Sequence, residues 1–273
     1  MRRMSVVAVT ALAALVAASA GYGATSTSAI NTYTGAYKFT TKKAGTPKKP
    51  VPIGFTQDLT ATGTNGNRTA ILLDIKSKIY GLKMDGKDFP TCSFNFIANA
   101  KNDKNCPRKA EVATGYITAV LGPANNFAPN AKGVATCDPL LDVWNSGQGK
   151  LTYFFVDTPT HVCLGGALHT GSTGPFPATY KSQGKNLVID LPVPSFIDFP
   201  LGKGPTNLVG SLETQHLVWF KRTTKVKGRT VASISSVGCQ KGKRPYSTSF
   251  SATLSWTGLP AQPGGASNKA PCG

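Results

Sequence analysis

The chain has 273 residues, with 30 Lys+Arg against 12 Asp+Glu, a formal charge of +18, 29 glycines and 19 prolines. That much glycine and proline, with Glu111 and Glu213 as its two glutamates, excludes a helical bundle, a coiled coil and a multi-pass membrane protein. A hydrophobic content of 40% excludes wholesale disorder and leaves a folded, mostly β, strongly basic chain.

The N-terminus reads as an export signal. Met1-Arg2-Arg3-Met4 is short and basic, Val6 to Ala18 is almost unbroken alanine, valine and leucine, and small residues follow. Ala18-Ser19-Ala20 and Thr27-Ser28-Ala29 are the two cleavage patterns, so residues 1–29 are expected as a signal peptide cut after Ala20 or Ala29. The apolar run is too short to span a bilayer comfortably and no stop-transfer flank follows it, so the mature chain is expected without an integral membrane span. Losing Arg2 and Arg3 lowers the formal charge from +18 to +16.

Beyond residue 30, period-two alternation recurs. Strands are expected at 35–41, at 69–79 (Ile71, Leu73 and Ile75 on one face), at 111–121 and at 140–144. Leu151–Val156 is apolar on both faces, as a strand covered on both sides should be. Leu187, Ile189 and Leu191 alternate, as do 209–221, 229–235 and Phe250, Ala252, Leu254 and Trp256. Ser93–Ala100 is the one short helix expected. Residues 191–210, with four prolines and three glycines, read as an irregular crossover within a single domain spanning 30–273. About ten strands with glycine turns point to an all-β, antiparallel β-sandwich.

Six cysteines remain after export: Cys92, Cys106, Cys137, Cys163, Cys239 and Cys272. An even number in an exported chain reads as disulfides. Many connectivities are open. Neighbour pairing (92 with 106, 137 with 163, 239 with 272) is the simplest, and its last bridge would tether a Pro/Gly-rich C-terminal tail. No Cys-x-x-Cys spacing supports zinc.

Catalytic signatures are missing. Trp144-Asn145-Ser146-Gly147-Gln148-Gly149 lacks the leading glycine of a nucleophile elbow and suits a turn. His161, Cys163 and His169 invite a copper reading, but the one methionine beyond the leader, Met84, is remote and a disulfide would remove the Cys163 thiolate. His216 shares a period-two face with Leu212, Val218 and Phe220 and reads as packing. The acids show no spacing that selects a glycosidase pair. No cofactor, metal site or catalytic residue is expected.

Charge stands out instead. Basic residues cluster at Lys42-Lys43, Lys48-Lys49, Lys101 to Lys109, Lys221 to Arg229 and Lys241 to Arg244. Lys221, Arg222, Lys225, Lys227 and Arg229 suit a hairpin turning at Gly228, and Trp219 is the best candidate for an exposed aromatic platform beside it. Such a surface would concentrate an anionic cell-wall polymer or a glycan, with strong salt dependence and no sequence-specific nucleic-acid recognition. The plainer reading is that lysine keeps the protein soluble and guards its edge strands.

Several segments, in order, resemble an uncharacterised family of exported, disulfide-containing β-sandwich proteins of high-GC Gram-positive bacteria. They are Phe89-Pro90-Thr91-Cys92-Ser93, Cys106-Pro107 leading to Val112-Ala113-Thr114-Gly115, Asn145 to Leu151, Val188 to Pro192 and Tyr246 to Phe250. The resemblance implies a secreted sandwich with a Cys92–Cys106 bridge, and no activity. The sequence thus favours a secreted or cell wall-associated, non-enzymatic binding protein. The alternative is an extracellular hydrolase acting on polysaccharide through carboxylates brought together by folding.

Overall fold

In the computed structural model of the chain, residues 23–156, 158–161, 163 and 174–273 are described. The export signal expected over 1–29 lies largely outside them. In chain order the strands are β1 (Gly23–Thr27), β2 (Asn31–Phe39), β3 (Val51–Pro52), β4 (Phe55–Gly63), β5 (Ile71–Tyr80), β6 (Leu82–Met84), β7 (Glu111–Pro123), β8 (Ala135–Cys137), β9 (Leu140–Asn145) and β10 (Lys150–Val156). They continue as β11 (Phe176–Gln183), β12 (Asn186–Pro192), β13 (Leu208–Trp219), β14 (Thr223–Val226), β15 (Arg229–Ala232), β16 (Ile234–Ser236), β17 (Lys243–Thr253) and β18 (Gln262–Pro271). Two short helices, α1 (Phe94–Ala100) and α2 (Ser195–Asp198), and two single 3-10 turns at Thr64–Gly66 and Arg108–Ala110 complete the described regular structure. Among the described residues no helix is long and apolar enough to cross a membrane.

The all-β, antiparallel, disulfide-tied class is present, but its architecture differs from the expected sandwich. Twelve strands run along one continuous hydrogen-bonded path, β1-β2-β4-β13-β7-β9-β10-β11-β12-β5-β17-β18, with β8 added beside β7. The path curls into a nearly closed barrel. Its two ends meet where a Cβ added to Gly35 of β2 would touch Ala266 of β18 at 3.4 Å. This approach is possible because the inner face of β18 carries Gly264, Ala266, Asn268 and Ala270, none of them large. The C-terminal stretch expected as a tethered tail is therefore a ten-residue strand at the barrel seam.

Aromatic rings line the interior. Tyr33 of β2 stacks on Phe250 of β17 across the seam at 4.4 Å, and Phe55 stacks at 5.4 Å on Trp219, its register partner on the neighbouring strand. A buried polar chain crosses the same space. Trp219 Nε1 donates to Gln57 Oε1 (3.0 Å), Gln57 Nε2 donates to Ser77 Oγ (3.1 Å), and Tyr37 Oη donates to Ser77 Oγ (2.9 Å) while lying 2.7 Å from Thr248 Oγ1. Burial pushes the Tyr37 hydroxyl up to about 12, so it stays a neutral donor.

Leu151–Val156 is covered on both sides as its sequence implies. Leu151, Tyr153 and Phe155 join the barrel core, whereas Phe154 packs outside with Ile97 of α1, Trp144 and the Cys92–Cys106 bridge. Ser93 caps α1 by accepting from the Phe96 N–H at 3.2 Å. The other bridges join Cys137 to Cys163 and Cys239 to Cys272, so the pairing is between neighbours.

Bulges overturn two expected faces. Between Leu212 and Thr214 the β13 register shifts. Before the shift Leu212 lines the interior; after it Gln215, Leu217 and Trp219 point inward and His216 and Val218 outward. On β5, where the pairing with β17 shifts, Leu72 and Ile75 join the main core but Ile71 packs in a separate outer cluster with Val209 and Phe199, against which Leu73 also rests. Near β17, the expected strand to Trp256 stops at Thr253, leaving Leu254 and Trp256 exposed.

The register fixes two barrel ends. One carries the connections 40–54, 81–110, 146–149, 184–185 and 220–242, together with residues 272–273. A small sheet of β3, β16 and β6 plugs this end, placing Ile53, Leu82, Met84 and Ile234 in the core. The other end carries 28–30, 64–70, 124–139, 158–161, 163, 174–175, 193–207 and 254–261, and α2 lies across it. The irregular stretch 191–210 is the crossover from β12 to β13, which do not pair.

Candidate functional site

Charge is segregated along the barrel axis. The connections at the plugged end hold Lys42, Lys43, Lys48 and Lys49; Lys83, Lys87, Lys101, Lys104, Arg108 and Lys109; Lys185; and Lys221, Arg222, Lys225, Lys227, Arg229 and Lys241. These seventeen cations face three acids there, Asp85, Asp88 and Asp103. Among the described residues, the connections at the α2 end hold three cations, Arg68, Lys132 and Lys203, against Asp138 and Asp198, and Arg68 is buried. Sequence clusters far apart along the chain are thus gathered at one end by the antiparallel topology.

The hairpin expected at 221–229 forms as β14 and β15, with Lys225 opposite Thr230 and Val226 opposite Arg229. Lys227 and Gly228 take φ of 47° and 78°, the left-handed pair that a tight two-residue turn requires. Lys221, Lys225, Lys227 and Arg229 are exposed, and among the described residues no carboxylate pairs with them. Arg222 differs: it donates to Glu111 Oε2 at 3.3 Å and stacks over Phe220 at 4.6 Å, pinning the hairpin to β7. Trp219 is corrected outright. The bulge turns it inward, it is 1% exposed, and it cannot serve as a surface platform.

Beside the hairpin an open groove of about 530 Å³ runs between the 40–54 loop, β6, β15 and the 184–185 turn. Lys83 and Lys185 line it, with Pro47, Pro50 and Thr230 on its walls and Asp85 as its one acid. Beneath this end, Arg244 is fully buried, donates to Ser236 Oγ and lies 4.7 Å from the Phe39 ring. Burial lowers its guanidinium to about 10, and Nε and Nη1 have no hydrogen-bond partner among the described residues.

Folding also gathers carboxylates that no spacing announced. Asp103, Glu111 and Asp142 interact on the outer face of β7 and β9. Asp142 Oδ1 accepts from Thr114 Oγ1 at 2.6 Å, and Trp144 Nε1 donates to Asp103 Oδ2 at 3.1 Å. Burial, above all, pushes Asp142 up to about 6; Glu111 is raised by burial and by Asp142, against the pull of Arg222. These acids line neither the basic groove nor the interior cavity described below. A second acid pair, Asp74 and Asp190, is bridged by Lys76 at 3.8 and 3.3 Å.

Among the described residues the histidines share no site. His216 Nδ1 lies 2.6 Å from Asp58 Oδ1, and its ring stacks on Tyr116 at 5.1 Å. His161 Nδ1 lies 3.2 Å from the Asp138 carbonyl, Cys163 is in a disulfide, and His169 lies outside the described residues. Among the described residues no cluster of three or more His, Cys, Asp or Glu could hold a metal ion. No family model, no curated protein and no solved structure matches this chain.

Proposed function

We propose that this protein is exported and binds anionic polymer, a cell-wall polymer or an acidic glycan, against the basic end of its barrel without chemical turnover. The observation that carries this reading is the asymmetry of the connections: seventeen cations at one end and three at the other. Lysine used purely for solubility has no reason to collect on one face. Clustered cations displace the counterions condensed on a polyanion, so affinity grows with the number of contacts and falls steeply with salt. The groove beside the β14–β15 hairpin offers a track for a chain, with Lys83 and Lys185 inside it and Lys225, Lys227 and Arg229 near its edge. Three disulfides accord with an oxidising extracellular or wall-associated location.

The test is retention of the mature, oxidised protein on purified Gram-positive cell wall across a salt gradient. Retention that falls steeply as salt rises supports the proposal. Retention indifferent to salt, or none, overturns it.

The hydrolase reading has one observation in its favour, the gathering of Asp103, Glu111 and Asp142 with Asp142 held at about 6. Against it, each of the three already has a protein donor: Trp144, Arg222 and Thr114 respectively. Release of reducing ends from wall polysaccharide, lost in Asp142→Asn, would reinstate it.

A further inference from the structure

The opposite end of the barrel carries a different kind of site. A partly open space of about 110 Å³ lies in the barrel interior beneath α2. Its walls are almost wholly apolar, with Leu72, Ile117, Ala119, Leu141 and Phe176 among them, and Phe196 of α2 reaches from the space to solvent at 39% exposure. Three polar residues interrupt this lining: Ser211, whose hydroxyl accepts from Arg68 at 3.2 Å, and Asp198 and Gln215, each 4% exposed. Among the described residues, no hydrogen bond reaches the Asp198 carboxyl or the Gln215 amide. Well-packed interiors pair such groups, because a buried polar group left alone costs about 1–3 kcal/mol.

We propose that this cavity is a binding site for a compact, uncharged alcohol or phenol, whose carbon skeleton fills the apolar space and whose hydroxyl bonds Asp198 and Gln215. Size sets the carbon count: a dry apolar cavity of roughly 150 Å³ accepts benzene, so about 110 Å³ suits one six-carbon ring or a short chain. Chemistry sets the head group. A hydroxyl both donates and accepts, matching a carboxyl and an amide that each offer both. Burial pushes Asp198 up to about 8 against a weaker pull from Lys203, so near neutral pH the carboxyl is a proton donor and no counter-ion is required of the ligand. The polymer surface and this cavity occupy opposite barrel ends, so either can fail without the other.

The experiment is calorimetric titration of the mature, oxidised protein at pH 6.5 with phenol, and with toluene as the partner lacking the hydroxyl. Phenol should bind at least about tenfold more tightly than toluene. Asp198→Leu should reduce phenol to the affinity of toluene, whereas Asp198→Asn, which still donates and accepts, should keep the preference. Ala119→Phe should abolish binding by filling the space. Amide-shift mapping on the unaltered protein covers the case in which a variant fails to fold: phenol should perturb Ile117, Leu141 and Phe176. Absence of phenol binding, equal binding of phenol and toluene, or shifts confined to other parts of the barrel would overturn the proposal.

Discussion

Gly264 lies directly against the ring of Tyr33: a Cβ built on it would sit 2.2 Å from Tyr33 Cε2. Tyr33 belongs to β2 and Gly264 to β18, so this contact spans the seam where the first and last parts of the sheet meet. The ring also stacks on Phe250, the residue opposite Gly264 in the β17–β18 register. Gly264→Ala must therefore displace an aromatic ring in a packed interior. It should lower stability by about 1–3 kcal/mol, read as a lower urea midpoint, whereas Gly238→Ala, whose Cβ would touch nothing and whose φ is not left-handed, lacks that overpacking cost.

Tyr37→Phe tests the polar chain that crosses the barrel. It leaves Ser77 and Thr248 without their shared partner in the core while keeping the ring contacts with Phe55 and Tyr246. A loss of about 1–3 kcal/mol in urea unfolding is expected.

The interior was only partly legible in the sequence, and the reasons are local. Leu151–Val156 could be read correctly because both of its faces are buried, one by the barrel and one by α1, so no parity had to be guessed. The 221–229 hairpin was readable because Lys227-Gly228 is a turn signal by itself. Trp219 was not, because a bulge six residues earlier exchanges the inward and outward faces of β13, and a strict period of two cannot register an extra residue. The strand Gln262–Pro271 escaped notice because its small and polar residues have weak strand preference; pairing with β17 and the fit against Tyr33 make it a strand. The basic end was visible as separate clusters, but their convergence depends on the antiparallel path. The acid group of Asp103, Glu111 and Asp142 and the cavity around Asp198 depend on tertiary contacts alone.

Asp198 gives a pH signature independent of any ligand. Its carboxyl is held up to about 8 in the fold, against an ordinary value of 3.8, by burial. The native state therefore binds a proton that the unfolded chain releases, and stability falls as pH rises from about 4 to about 8. Asp198→Asn cannot ionise and escapes that loss. Its stability relative to the parent should grow by on the order of a few kcal/mol between pH 4 and pH 8, as measured by urea unfolding across pH.

Asp142 should show the same sign over a lower window. Burial raises it to about 6 while the Thr114 hydroxyl favours its ionised form. Carboxyl-carbon NMR should place its titration near pH 6, and Thr114→Val should move it further up, since a hydrogen bond to the carboxylate is lost.

The central claim is that cations gathered at one barrel end act together on a polyanion. The direct measurement is the slope of log affinity against log salt concentration for heparin, a defined acidic glycan. The unaltered protein would be compared with two charge-matched variants. One carries Lys225→Gln, Lys227→Gln and Arg229→Gln at the hairpin; the other carries Lys76→Gln, Lys132→Gln and Lys181→Gln, away from it. The hairpin variant should bind more weakly and lose roughly 2–3 units of slope, at about 0.7–0.9 per contact removed, with the second variant close to the parent. Equal losses in both variants, or an unchanged slope in the hairpin variant, would contradict a localised polyanion-binding end.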